Sequence, residues 1–153
     1  MFKDLLDHVE QFVSEAVTDL AMEQKGSDTL GAVKVFKSAV PKDPDAEKTF
    51  PCVVVRWISG EDDEEGYCTE HVDLLCGVYS REGFAHAEDW IAVVTGRLRR
   101  KLSTLNHLGS WELVRPVKFA KPEPEEQHKH MHMGVVRTTW QGKYLSTNHT
   151  GDL

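Results

Sequence analysis

The first segment of the chain has a regular pattern of hydrophobic and polar positions. Its apolar residues recur at steps of three and four: Phe2, Leu5, Leu6, Val9, Phe12, Val13, Ala16, Val17 and Leu20. The intervening face carries carboxylates at Asp4, Asp7, Glu10 and Glu15. This spacing predicts an amphipathic helix over residues 2–24, ending near Gly26, whose apolar stripe packs on a sheet.

The central segments show the patterns of strands. GAVKVFKSAV predicts a short strand in which Val33 and Val35 oppose Lys34 and Lys37. PKDPDAEKT (41–49) predicts a surface loop. FPCVVVRWI (50–58) is almost continuously apolar, which is typical of a strand covered on both faces.

A β-hairpin is predicted around SGEDDEEG (59–66). The following segment, TEHVDLLCGVY (69–79), alternates with a period of two. One face then carries Val72, Leu74, Cys76 and Val78, and the other carries His71, Asp73 and Tyr79. Because only a short polar turn separates 50–58 from 69–79, we expect these two strands to pair with each other.

The C-terminal half begins with a second amphipathic helix, predicted over 85–105. Its apolar stripe consists of Ala87, Trp90, Ile91, Val94, Leu98, Leu102 and Leu105. GSWELVRPVKFA (109–120) predicts an edge strand broken or bulged at Pro116, because proline cannot donate a hydrogen bond to a neighbouring strand. GVVRTTW (134–140) predicts the last strand.

The order α-β-β-β-α-β-β predicts a compact α+β domain, with two helices packed on a mostly antiparallel sheet. We expect one domain over 1–145 and a frayed tail over 146–153.

With 25 acidic and 18 basic residues the net charge is −7, which argues against nucleic-acid binding. No apolar run reaches the about 20 residues that cross a bilayer. Three cysteines without a C-x-x-C pair indicate a reducing cytoplasm.

Three histidines in EQHKHMHM, namely His128, His130 and His132, are candidates for a metal site. In an extended segment neighbours at i and i+2 lie about 6.6 Å apart and can share an ion, whereas the first and third lie about 13 Å apart. A complete site needs a further ligand, for which the chain offers Cys52, Cys68, Cys76, His71 and Asp73. Since no spacing predicts that these groups converge, we expect a solvated loop with exposed imidazoles, no metal and no other cofactor.

Two charged clusters favour contact with another protein. The acidic turn consists of Glu61, Asp62, Asp63, Glu64 and Glu65, and it lacks the spacing of a calcium-binding EF-hand loop. The basic cluster at the end of the second helix contains Arg97, Arg99 and Arg100, with Lys101. These cations either complement the helix dipole or bind an acidic surface. Opposite charges on one small domain are expected to join neighbouring copies head to tail, as in a ring.

The sequence contains no recognisable catalytic constellation. It lacks G-x-S-x-G, a P-loop, G-x-G-x-x-G and H-E-x-x-H. Cys76 falls on the apolar face of its predicted strand, where a buried and inert thiol is expected. We therefore expect a protein that is not an enzyme.

The order of several motifs between residues 50 and 140 resembles small proteins from the structural gene blocks of long-tailed phages and prophages. The shared pattern is a P-x-V-V-V-R strand, a GED turn, a G-x-Y-S strand end, an I-x-x-V-x-x-R-L-R helix, a W-E-L strand and a final G-x-V-x-T-T-W strand. Here these motifs are Pro51–Arg56, Gly60–Asp62, Gly77–Ser80, Ile91–Arg99, Trp111–Leu113 and Gly134–Trp140. The HKHMHM segment departs from the pattern.

These proteins are similar to the tail terminator, or tail completion, group. The resemblance implies a small α/β fold and a hexameric ring that sits on the last ring of tail tube protein, stops tube growth and offers a surface to the head–tail connector. It also implies no catalysis and no cofactor, and a place in the virion after assembly in the host cytoplasm. The alternatives are another neck protein, or a small metal-binding or hydrolytic domain built on His128, His130 and His132.

Overall fold

A computed structural model describes residues 2–42, 45–123 and 126–143. The elements in chain order are α1 (Phe2–Ala16), β1 (Ala21–Met22), β2 (Gly31–Ala32), β3 (Lys34–Lys37), a 3-10 turn (Ala46–Thr49), β4 (Cys52–Asp62), β5 (Tyr67–Tyr79), α2 (Phe84–Ser103), β6 (His107–Leu108), β7 (Trp111–Ala120) and β8 (Met131–Lys143). The two helices pack on a mostly antiparallel sheet, so the predicted α+β fold is confirmed. Neither of these helices is long and apolar enough to cross a membrane. The tail predicted to fray, 146–153, lies outside the described residues.

The main sheet of the described chain has six strands in the order β3-β4-β5-β8-β7-β6. β3 runs parallel to β4, and every other neighbouring pair is antiparallel. β4 and β5 form the predicted hairpin. β8 pairs with β5 from Tyr67↔Lys143 to Tyr79↔Met131, so these two long strands form the centre of the sheet.

The two faces of the sheet differ because side chains alternate along each strand. The helix face carries the even-numbered residues of β5 and β8. The predicted inner residues of β5 lie on this face and are buried: Val72, Leu74, Cys76 and Val78. The odd-numbered residues form the open face, where His71, Asp73 and Tyr79 are partly exposed. The alternation predicted for this strand is confirmed.

The core lies between the helix face and the two helices. The stripe predicted for α2 is buried at Ala87, Ile91, Val94, Leu98 and Leu102. From α1 the buried side chains include Leu5, Val9 and Val13. Trp140 of β8 lies among them with no exposed surface, and it is the largest fully buried side chain of the described residues.

The first helix ends earlier than predicted. It stops at Ala16, and the prediction that it continues to residue 24 was wrong. Val17 still continues the apolar period and is 1% exposed, but it lies in the turn that follows the helix. Arg97 of α2 donates to the Ala16 carbonyl oxygen at 3.1 Å and pairs with the Asp19 carboxylate. A side chain from a distant helix therefore satisfies this helix end, which periodicity alone does not reveal.

β4 is buried only over its first part, Cys52–Val55, and every residue from Arg56 to Asp62 is exposed. The prediction of a strand covered on both faces to residue 58 was therefore wrong in its second half. The reason is that β3 ends at Lys37, beyond which no described strand lies on the outer side of β4. Pairing with β5 continues to Asp62, so the hairpin turn is also shorter than predicted.

β7 is interrupted at the predicted place. Its pairing with β8 shifts between Val114 and Lys118, a stretch that includes Pro116. Its outer neighbour β6 pairs only with Trp111 and Glu112. The rest of β7 is thus the opposite edge of the described sheet, which confirms the edge position expected of a strand containing proline.

Candidate functional site

The three histidines do not converge. β8 begins at Met131, so His128 and His130 precede the strand and only His132 lies within it. His128 Nδ1 accepts a hydrogen bond from the His130 backbone N–H at 3.1 Å, and His130 Nδ1 lies 2.9 Å from the Ser80 carbonyl oxygen. Among the described residues, no group of three possible metal ligands includes a histidine. This geometry gives no support to a metal site built on the three.

His132 is a core residue instead. Its side chain is 1% exposed and packs edge-on against the ring of Phe84, with the ring centroids 5.0 Å apart. Its Nε2 atom has no hydrogen-bond partner among the described residues. Burial lowers the pKa of His132; Glu88 opposes this shift, while Lys121 and His128 add to it. The prediction of an exposed imidazole was wrong here, because β8 begins earlier than the apolar pattern indicated.

We expect acid to destabilise the fold through His132. An unfolded histidine titrates near about pH 6.5, whereas the folded state takes up this proton only at lower pH. The unfolded state therefore binds more protons, and stability falls as the pH drops below about 6.5. His132→Leu should weaken this dependence and raise the free energy of unfolding at about pH 5 by about 1–3 kcal/mol, because it removes an unsatisfied buried group.

Urea unfolding at about pH 5 and about pH 7.5 measures the effect of this substitution. His107→Leu is the matched control, since His107 is exposed. A His132→Leu variant whose stability depends on pH as steeply as that of the wild type would contradict the expectation.

One group of possible metal ligands does come together, in the β4–β5 hairpin. Asp62, Cys68 and Glu70 place ligand atoms within 4.8 Å of one another. The Cys68 thiol donates to the Gly142 carbonyl oxygen at 3.4 Å, and the Trp57 indole N–H donates to Glu70 Oε1 at 2.6 Å. Two of the three groups are therefore already engaged within the protein. Sequence reasoning missed this cluster, because its members face each other only through the hairpin register.

Ser80, His86 and Glu23 have the composition of a catalytic triad but not its geometry. His86 Nδ1 lies 3.4 Å from Ser80 Oγ and 3.1 Å from Glu23 Oε1. In a catalytic triad the hydroxyl and the carboxylate contact opposite ring nitrogens, whereas here both approach Nδ1. Ser80 is also fully buried and donates directly to Glu23 at 3.1 Å. The cluster joins the segment after α1 to the start of α2, and it presents no accessible nucleophile.

The three cysteines are buried and free. Burial raises the pKa of Cys52 to about 11 and that of Cys76 to about 12. Burial also raises the pKa of Cys68, with Glu70 adding to the shift. The predicted burial of Cys76 is confirmed, and all three side chains remain protonated thiols near neutral pH, a form that reacts slowly.

The acidic turn, Glu61–Glu65, is exposed along its whole length. Asp63 shapes it, because its Oδ1 atom accepts hydrogen bonds from the backbone N–H groups of Glu65 and Tyr67 at 2.8 and 3.0 Å. The other carboxylates that face solvent are those of Glu61, Asp62, Glu64 and Glu65. These four are the groups that the turn can offer to a partner.

The basic cluster divides into two parts. Arg97 is held inside the molecule by Asp19, and its hydrogen bond lowers the pKa of that carboxyl group. Arg99 and Arg100 are exposed, and the Arg99 guanidinium lies over the ring of Phe119 on β7, 4.8 Å from its centroid. Of the three arginines predicted to form an interface, only Arg99 and Arg100 are therefore accessible to a partner.

The acidic turn and Arg99 lie at opposite edges of one sheet. The turn consists of the last two residues of β4 and the three residues after it, whereas Arg99 contacts β7. β5 and β8 separate these two strands. Exposed Lys118 of β7 adds to the positive edge. Sequence reasoning identified the two clusters but missed Lys118 and Phe119, whose place beside the arginines depends on the packing of α2 against the sheet.

No protein-family model matches the chain, and no curated protein matches it. Its function is therefore inferred from the arrangement of the described residues together with the motif order between residues 50 and 140.

Proposed function

We propose that this protein is a structural assembly protein of a phage tail, which caps the tail tube as a ring, ends tube growth and prepares the tail for joining to the head. The observation that carries the proposal is the placement of opposite charges at opposite edges of one sheet. When two different surfaces of identical copies bind each other, the assembly is a closed ring or an open filament. Complementary charges favour that head-to-tail contact over contacts between like surfaces.

The proposed partners follow from this role. They are further copies of the chain, six in a ring, together with the tail tube protein and the head–tail connector. The protein would assemble in the bacterial cytoplasm and remain in the virion. Surface contacts alone perform this function, so it needs no cofactor. The α+β fold and the order of the phage-like motifs along it support the proposal.

Mass measurement in solution and a capping assay test the proposal together. We expect a hexamer, or a monomer that forms a ring on tube ends, and we expect its addition to growing tubes of the tail tube protein to shorten them. Rings that bind the connector but leave tube length unchanged would indicate another neck protein. A stable dimer with stoichiometric zinc would indicate the metal-binding alternative and overturn the proposal.

Charge reversal at the basic edge is expected to disrupt the ring. The double variant Arg99→Glu, Arg100→Glu places like charges against the acidic turn, and we expect assembly to weaken at least about tenfold, which corresponds to about 1.4 kcal/mol per contact. Lys42→Glu, Lys129→Glu is the matched control, because it changes the net charge equally at exposed positions outside the acidic turn and the basic cluster. Equal assembly by the two variants in sedimentation would contradict the role of the arginines.

A further inference from the structure

Two short strand segments at opposite edges of the sheet lack a neighbour among the described strands. On the outer side of β4, no described strand pairs with Ser59–Glu61. On the outer side of β7, no described strand pairs with Lys118–Ala120. All six residues are exposed. Such edges present backbone N–H and C=O groups that pair readily with another strand.

The two edge strands run in opposite directions, as antiparallel pairing between copies requires. β4 is antiparallel to β5, β5 to β8, and β8 to β7, so β7 runs opposite to β4 within one copy. Copies related by rotation about an axis that runs roughly along the strands keep these directions. The β4 edge of one copy therefore meets the β7 edge of the next in antiparallel orientation, which a hydrogen-bonded ladder allows.

We infer that neighbouring copies join by strand pairing between these edges, with Glu61 opposite Lys118, Gly60 opposite Phe119 and Ser59 opposite Ala120. This inference rests on the proposed ring and defines its subunit contact. Directly opposed residues must lie on the same face of a sheet. Glu61 pairs with Thr69 and Lys118 with Arg137, so both lie on the open face.

The same register is favourable on the helix face. Gly60 pairs with Glu70 and Phe119 with Val136, which places both on that face. The Glu70 carboxylate already lies over Gly60 on this face, so the partly exposed Phe119 ring would pack beside that side chain across the contact. Asp62 also lies on the helix face, opposite Cys68, and would approach the Arg99 guanidinium that sits over Phe119.

The residues at each edge disfavour the symmetric alternatives. Pairing of two β4 edges would bring Glu61 and Asp62 of one copy close to the same carboxylates of the other, and like charges across a contact are costly. Pairing of two β7 edges would bring Lys118 and Arg99 of one copy close to the same cations of the other, which is costly for the same reason. The remaining contact between different edges is head to tail, the type that closes rings.

Disulfide cross-linking tests the register. Chains carrying Ser59→Cys are mixed under oxidising conditions with tagged chains carrying Ala120→Cys, and a disulfide-linked heterodimer is the expected product. Opposed residues of an antiparallel pair lie about 4.5–5.5 Å apart between Cα atoms, within the range that a disulfide spans. The native cysteines are buried and do not compete. Ser59→Cys mixed with Lys118→Cys is the off-register control and should give little product.

A charge exchange provides the second measurement. Glu61→Lys is expected to lower the heterodimer yield about tenfold, and Lys118→Glu in the other chain should restore it. Ser59→Cys homodimers as the main product, no cross-link at any concentration, or equal yields from matched and off-register pairs would each overturn the strand pairing. A hexamer that does not cross-link would leave the tail function standing without this contact. Cross-linked rings that fail to cap tubes would leave the contact standing without the function.

Discussion

Alanine in place of Trp140 is expected to lower the free energy of unfolding by about 4 kcal/mol. Trp140 is fully buried between the helix face and the two helices. Its indole N–H donates to Thr138 Oγ1 at 2.8 Å, and that hydroxyl donates to the Val72 carbonyl oxygen at 2.6 Å. The substitution therefore opens a large cavity and also removes one member of a buried hydrogen-bond chain that links β8 to β5.

Denaturant unfolding of a short variant series separates the two contributions. Trp140→Phe keeps most of the packing but loses the donor, so its cost is expected to be only about 1–2 kcal/mol. Phe119→Ala removes an aromatic ring that is 37% exposed, and we expect it to cost less than about 1 kcal/mol. A Trp140→Ala variant that lost no more stability than Phe119→Ala would show that this part of the core is packed differently.

Removal of the Glu23 carboxylate is expected to lower the free energy of unfolding by about 2–3 kcal/mol. This carboxylate accepts hydrogen bonds from the Trp90 indole N–H at 3.0 Å, from Ser80 Oγ at 3.1 Å and from the Arg81 backbone N–H at 3.3 Å. His86 Nδ1 lies 3.1 Å away. In Glu23→Ala, the Trp90 indole N–H and the buried Ser80 hydroxyl lose this partner, and the start of α2 loses its anchor to the segment after α1.

The stabilisation by Glu23 should disappear in acid. Burial acts to raise the pKa of Glu23, but the hydrogen bonds from Trp90, Arg81 and Ser80 outweigh it and leave the pKa below the ordinary value of 4.5. A carboxyl group with a lowered folded-state pKa stabilises the fold above its unfolded pKa, and loses that effect as the pH falls through the folded value. The difference in stability between the wild type and Glu23→Ala should therefore shrink below about pH 4.5.

Unfolding curves recorded across this pH range measure the effect. Glu82→Ala is the matched control, because this carboxylate contacts His86 but is 68% exposed, and its loss is expected to cost no more than about 0.5 kcal/mol. Equal costs for the two variants near neutral pH would show that Glu23 does not anchor α2.

The local pattern of hydrophobic and polar residues was sufficient to predict an element and its buried face wherever one periodicity continued without interruption. The stripe of α2 and the alternation of β5 are determined by which residues avoid water, so burial at Leu98 and Leu74 follows from spacing alone. Pro116 likewise indicated a bulged edge strand, because the missing N–H is a property of the residue itself. The same pattern predicted the wrong helix end or strand burial where a residue or strand far away in the sequence determined it. Arg97 binds the end of α1, and the short β3 leaves the second half of β4 without an outer neighbour among the strands that the structure describes.

The sequence by itself determined the α+β class, the β-hairpin with its acidic turn, the second helix with its basic end, and the absence of any recognised catalytic motif. Tertiary structure decided which charges are available and where they stand. In the folded protein Arg97 pairs with Asp19, and His132 is buried. Glu61 and Lys118 lie at opposite edges of one sheet. Hydrophobic periodicity records which side of an element faces the core. It contains no information about the order of strands across a sheet, because that order arises from contacts between residues far apart in the chain.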